Sequence, residues 1–455
     1  MTMAKGSGDT SDLTELARRI TALAGSGEQV EVYAARGRST TVRAYEGEVE
    51  SFKRGTSQGL GVRLVANGRQ GFASAGTLDP DVAVETLAEA RENASLAEPD
   101  EFVGLSEPDG VVAPDLVLLD PELHQLTDDQ RVSYGLAVER AVLGRDPRVT
   151  GVRAAAFSDG WGEAAIVSTQ GVDIWSDGGS CSVSVSPLAV DGDETQIGFA
   201  VDAARQPAAL DIEAVGLEAI ERAVEMIGAV KPESARLTAV LDKRVVASFM
   251  DIVAGTLSGD RVSRGRSPFA ERLHETIGVP GLSLIDDGTD PESLSADVHD
   301  GEGLATRRNV LVDDGRLAMF LYHSASARRA ATRSTGSALR GARSTPGVGV
   351  HSLSILPGDT GFDDLVSGVG EGVFIQRVNG LHSGVNSISG DLSVGVQGRM
   401  IRGGALAEPI REATIATTLQ RLLLGINRIG SDVERLPGGT QSVSMSVDEI
   451  SLSGT

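Results

Sequence analysis

Apolar residues recur along this chain at two different spacings. Leu13, Leu16, Ala17, Ile20 and Leu23 fall at helical intervals, predicting an amphipathic helix that stops at Gly25. From residue 30 the period drops to two: Val30, Val32 and Ala34, then Val42 and Ala44, then Leu60, Val62 and Leu64 alternate with polar or small neighbours. That alternation predicts strands of one antiparallel sheet, and Asn67-Gly68 before Gly71-Phe72-Ala73 is a type I′ hairpin signal. Asp79-Pro80 opens a helix to about residue 97. Prolines among acids over 98–121 read as a linker, and Thr127 with Gln130 forms a capping box that starts the next helix. Strands follow near 152–157, 164–168, 181–190 and 196–201, with a turn at Asp159-Gly160, then a helix from Ile212 to about residue 227. Beyond Lys231-Pro232 the pattern predicts a buried strand at 237–241, a helix over 245–257, a hairpin about Asp313-Asp314-Gly315 and a short helix at 324–331. Strands at 373–378 and 394–401, a helix over 414–428 and a closing strand at 442–452 complete the chain.

The expected fold is α+β, with N-terminal antiparallel sheets covered by helices and then a β-rich C-terminal domain with a few helices. The expected divisions are a disordered tail at 1–11, an N-terminal domain at 12–97, a linker at 98–121, a middle region at 122–232 and a C-terminal domain at 233–455. Length changes this picture little, since 455 residues suffice for two or three cores. Charge narrows the function. At −23, a nucleic-acid or anionic-membrane partner would be repelled. The lone Cys181 fits a reducing compartment, no export segment is legible, and no apolar run is long enough to span a bilayer, so the cytoplasm is expected.

Unusual residue choices concentrate at 372–432. His382-Ser383-Gly384-Val385-Asn386 and Ser389-Gly390-Asp391 lie between two apolar strands, too polar for core and too glycine-rich for helix. Together with Ser393-Val394-Gly395, Glu412-Ala413-Thr414 and Ile429-Gly430-Ser431-Asp432, these motifs resemble the TldD/PmbA family, once called modulators of DNA gyrase, and within it the PmbA (TldE) branch. The resemblance covers 30–97 and 236–452. It implies a subunit of a heterodimeric zinc metallopeptidase acting on unfolded or extended peptides. In the TldD branch a helix bearing His-Glu-x-x-x-His and a later cysteine binds the metal. Here the corresponding positions are Met250, Asp251 and Gly255, and the loop at 435–440 has no cysteine. Thioether, short acid and bare backbone do not make a zinc site. The resemblance therefore implies no cofactor and no catalytic residue in this chain, zinc in a TldD-type partner, and a substrate chamber lined here by His382, Ser383, Asn386 and Asp391. The chain alone could form a homodimer.

Other motifs carry less. His274-Glu275 begins like a zincin helix, but Gly278 and Val279 stand where a second histidine would fall. Gly55-Thr56-Ser57-Gln58-Gly59 matches a nucleophile elbow, yet the alternation after it is that of a strand, which predicts a sheet loop. Arg328, Arg329, Arg333, Arg340 and Arg343 cluster in an acidic chain, either to grip carboxylates or as a solvated helix face and loop. Two other functions stay open: a homo-oligomeric peptide-binding or scaffold protein, and a self-sufficient hydrolase with an unrecognised site.

Overall fold

The computed structural model describes residues 10–455, so the expected tail lies outside the described residues but for its last two positions, which begin the first helix, α1 (Thr10–Thr21). Three strands follow, β1 (Gln29–Tyr45), β2 (Glu48–Ala66) and β3 (Arg69–Ala75). The turn before β3 has positive φ at both Asn67 and Gly68, as a type I′ hairpin requires. Helix α2 (Pro80–Leu96) starts where Asp79 accepts hydrogen bonds from the Asp81 and Val82 amides, with Pro80 in the first turn. A one-turn α3 (Pro121–His124) precedes α4 (Asp128–Arg140), whose Thr127/Gln130 capping box forms.

Two very long strands come next, β4 (Val149–Ser168) and β5 (Asp173–Asp191), then β6 (Glu194–Ile197), β7 (Ala200–Ala204) and α5 (Ile212–Val224). All seven strands make one sheet in the order β3-β2-β1-β4-β5-β6, with β7 also on β5. The N-terminal and middle segments thus share a sheet, because β1 pairs with β2 on one side and β4 on the other. One face of this sheet carries two separate cores. Val30, Val32, Leu60, Leu64 and Val167 pack under α1 and α2, whereas Ala44, Phe157, Val183 and Val185 pack under α4 and α5.

Two expectations fail here. Asp159-Gly160 is no turn, and Gly55–Gly59 is no loop; both lie inside uninterrupted strands. Glycine and aspartate are weak strand formers, but pairing on both sides overrides that preference for β4.

The C-terminal part is organised by a six-stranded sheet in which Ala235–Leu241 lies between Glu371–Asn379 and Met445–Ser453. Helix α6 (Lys243–Thr256) packs on it, and Phe249, Met250, Val253 and Leu257 join its largest hydrophobic cluster. A second sheet of short strands, including Leu284–Asp287 and Arg308–Asp313, flanks this core. The expected 414–428 helix is mostly something else. Ala405–Thr418 is a strand, only Leu419–Gly425 is helical, and Ile426–Ile429 is again a strand. Thr414, Ile415, Thr417 and Thr418 are β-branched, and cross-strand packing decides for β. The α+β architecture with a β-rich C-terminal part is as expected.

Candidate functional site

A cleft of about 1150 Å³ opens on the sheet face opposite α1, α2, α4 and α5. Its floor follows from strand register. Gly59, Ala35, Ala164 and Ser176 form one row across β2, β1, β4 and β5; Ser57, Gly37, Gly162 and Gly178 form the next; Gly55, Ser39, Gly160 and Ser180 form the third. Twelve consecutive inward positions on four strands hold nothing larger than a hydroxymethyl group, so main chain lies bare where side chains would stand. The far wall comes from the C-terminal part, through Leu294, Ala296, Asp297 and the 341–344 segment. Ala342 rests on β2: its carbonyl oxygen would lie 2.5 Å from any Cβ at Gly61. A Cβ at Gly162 or Gly178, by contrast, would meet nothing closer than 3.5 Å.

Just beyond the floor, the same sheet face is sealed by charge. Arg63 donates to Glu31 at 2.8 and 3.1 Å and reaches Glu302 at 3.4 Å, while Arg340 also pairs with Glu31 and lies 5.1 Å over the Tyr33 ring. Arg63, Glu31, Glu302 and Arg340 have side chains at most 2% exposed. Burial opposes ionisation of Glu31, yet Arg63 and Arg340 outweigh it and hold its carboxyl below the usual range. The Ser324 amide completes Glu302 at 2.8 Å. The arginine cluster is therefore divided. Arg340 belongs to this buried seam, Arg328 and Arg329 tie down residues 100–104, Arg343 lines the cleft, and Arg333 is exposed. The gripped carboxylates, Glu31 and Asp100, are the chain's own.

Met250, Asp251 and Gly255, the positions that the resemblance sets against a metal-binding helix, sit on α6. The Asp242 side chain caps the helix by accepting from the Arg244 amide at 2.9 Å, and burial pushes its carboxyl up to about 6. Met250 is 1% exposed in the core, whereas Asp251 and Gly255 lie on the open side of the helix. The segment around Leu436–Thr440 folds over that side, closed by the Leu436 amide donating to the Thr440 carbonyl at 2.8 Å. Between them is a pocket of about 350 Å³ lined by Ser248, Asp251, Thr440 and Phe199. Helix and loop thus meet across this pocket. The donor set does not fit zinc: Met250 points into the core, Gly255 offers no atom, and Asp251 is left as a single carboxylate. Among the described residues, no three His, Cys, Asp or Glu side chains cluster as metal ligands.

The 382–391 segment, which begins in a one-turn helix, Leu381–Gly384, where glycine content had argued against one, stands apart from both cavities. Asn386 accepts from the amides of Ile388 and Ser389 at 3.0 and 3.3 Å, Ser389 donates to Asp391 at 2.6 Å, and Gln420 donates to the Ser389 carbonyl at 3.0 Å. Asn386 and Asp391 shape the loop, while His382 and Ser383 are exposed. His274 sits in a left-handed turn outside any helix, at φ 66°. The Cys181 thiol is buried, donates to the Ala204 carbonyl at 3.3 Å, and is pushed by burial up to about 12.

Sequence reasoning missed the cleft floor. Its signal was present as glycine, alanine and serine recurring at alternate positions of four strands, legible only once register is known.

Comparison with known proteins gives a consistent answer. Residues 30–94 match the family description "PmbA/TldA metallopeptidase domain 1", residues 121–227 the central domain and residues 234–454 the C-terminal domain. The chain is 24% identical to "Metalloprotease PmbA" of Escherichia coli O157:H7, over 94% of this chain and 93% of that one. It is 25% identical to "Metalloprotease TldD homolog" of Haemophilus influenzae, over 88% and 87%. The crystal structure of TldE from Thermococcus kodakarensis superposes with a TM-score of 0.87 at 21% identity, covering 97% of this chain and 99% of that one.

Proposed function

Because the chain belongs to the PmbA/TldD metallopeptidase family, we propose that it is the metal-free subunit of a TldD/TldE-type peptidase, working in the cytoplasm beside a zinc-bearing TldD-type subunit. The partner holds zinc and cuts; this chain completes the chamber and positions unfolded or extended peptide. The observation that carries this reading is Met250, turned into the core at the place where a metal ligand would have to face outward. The bare floor of the cleft supports the substrate class, since main chain without intervening side chains can accept another extended main chain closely and with little regard to sequence. His382 and Ser383 stand exposed, apart from the cleft, on the segment that Asn386 and Asp391 shape, and in this reading they join the chamber only where the partner subunit covers them.

Co-expression with a TldD-type protein, followed by size measurement and zinc analysis of each separated subunit, tests this. The expected result is a stable complex with zinc in the partner alone and peptide cleavage only by the complex. Stoichiometric zinc in this chain, or cleavage by it alone, overturns the proposal.

A further inference from the structure

Three acids border the cleft, and Asp297 differs from the other two. Glu163 pairs with Arg36, and both share a cross-strand row with Asp177, at positions of β1, β4 and β5 that alternate with those of the floor and so face the helices. Asp297 comes from the opposite wall. Its amide donates to the Gly288 carbonyl at 3.0 Å and its carbonyl accepts from the Thr306 hydroxyl, so both main-chain groups are used inside the wall and the side chain is what the cleft meets. Its charge is felt at Tyr33 of β1: burial pushes the Tyr33 phenol up, Arg340 opposes the rise, and Asp297 adds to it.

Glu31 and Asp297 lie near the same end of the cleft and differ in what answers their charge. Arg63 and Arg340 hold Glu31 ionised, whereas burial pushes the Asp297 carboxyl up against nothing more than the His299 and Val298 amides. The two arginines on that side of the sheet do not serve it. Arg205 is tied to the wall by donating to the Pro291 and Ser293 carbonyls at 3.1 and 2.6 Å, and Arg343 is exposed. Asp297 thus has lost water without gaining a counter-charge, a state that a cation brought into the cleft would relieve.

We propose that Asp297 sets a charge preference in the cleft by taking a cationic nitrogen of the bound peptide, a lysine side chain or a free amino terminus. The inference rests on the peptide-positioning reading above and deepens it. A floor of small residues meets main chain whatever the sequence, so selection falls to the wall, where Asp297 is the acid placed to exert it. The net charge of −23 acts in the same direction, drawing cationic segments to the chain before they dock. Glutamate at the same place in the peptide would set two carboxylates together where burial already disfavours one.

Fluorescence anisotropy on the purified full chain tests it, with peptides labelled at the carboxyl end: three acetylated ones that differ only in a central lysine, glutamine or glutamate, and the glutamine peptide with a free amino terminus. A cationic peptide should bind about tenfold tighter than the acetylated glutamine peptide, as a charge-assisted hydrogen bond supplies, and the glutamate peptide should bind weakest. Whether lysine or the free terminus gains identifies the nitrogen taken. In Asp297→Asn that preference should vanish, and in Asp297→Glu part of it should return. Equal affinities across the series, or an Asp297→Asn protein that binds every peptide more weakly but keeps the preference, would overturn the proposal and leave the metal-free subunit reading standing. Failure of every peptide to bind, both to the chain and to its complex with a TldD-type subunit, would remove the two together.

Discussion

Glu31, Tyr33, Ala35, Gly37 and Ser39 follow one another on a single face of β1, and across those five positions the environment inverts. At Glu31 the face is closed by two arginines and a second glutamate contributed from both halves of the chain. Six residues further on, from Gly37, no side chain covers the main chain. The sheet is continuous and the register regular throughout, so the difference lies in side chains alone. A cleft between two packed bodies stays open only if something beside it holds them at a fixed spacing. The seam does that, and the small residues leave the room.

The sharpest way to break this contrast is at the sealed end. Arg63→Met removes the cation shared by Glu31 and Glu302 and leaves carboxylates buried without it, which should destabilise the protein by about 3–5 kcal/mol in denaturant unfolding. A cost below about 1 kcal/mol would mean the seam is solvated and no spacer.

A smaller effect should come from pH. Burial pushes the Asp300 carboxyl, beside Glu302, up to about 7, and those of Asp286 and Asp242 up to about 6. Unfolded aspartate titrates near 3.9, so the folded chain binds these protons more tightly. Their contribution is complete below about pH 4 and is lost as pH rises through 6 to 7. Asp146, brought down to about 2 by Arg148, and Glu31 act oppositely, losing stability only as pH falls below the ordinary carboxylate range. The melting temperature should therefore climb between pH 8 and about pH 5; a flat or falling curve there contradicts the assignment.

The smallest stability change belongs to the open end. A methyl group at Gly162 meets nothing closer than the Arg36 carbonyl, at 3.5 Å, so Gly162→Ala should shift stability by less than about 1 kcal/mol. It should nonetheless weaken binding of an extended peptide measured by fluorescence anisotropy. Unchanged peptide affinity would dissociate the floor from substrate.

The same contrast explains what could be read beforehand. Packed regions announce themselves: the Asn67-Gly68 turn, the Thr127/Gln130 cap and the Val30–Val32–Ala34 alternation all depend on side chains whose shape imposes local structure, and each is found. The cleft floor was illegible for the converse reason. Gly37, Gly160, Gly162 and Gly178 have no side chain to carry a period, so Asp159-Gly160 read as a turn and the inward rows did not register. At 414–428 apolar spacing suited a helix, and only the neighbouring strands settled the matter. Of the site, that Met250 and Gly255 offer no zinc-binding side chain could be read directly, but Met250's inward direction needed the packing of α6.

Among the described residues, Glu31 is the one carboxylate that meets both Arg63 and Arg340, the first from the N-terminal sheet and the second from the C-terminal part. Losing its charge would strand Arg340 and leave Arg63 only its 3.4 Å contact with Glu302, so neither half can begin to loosen without weakening what holds the other. Melting should accordingly appear in calorimetry as one sharp event for the whole chain, and neutral Glu31→Gln should split it into two.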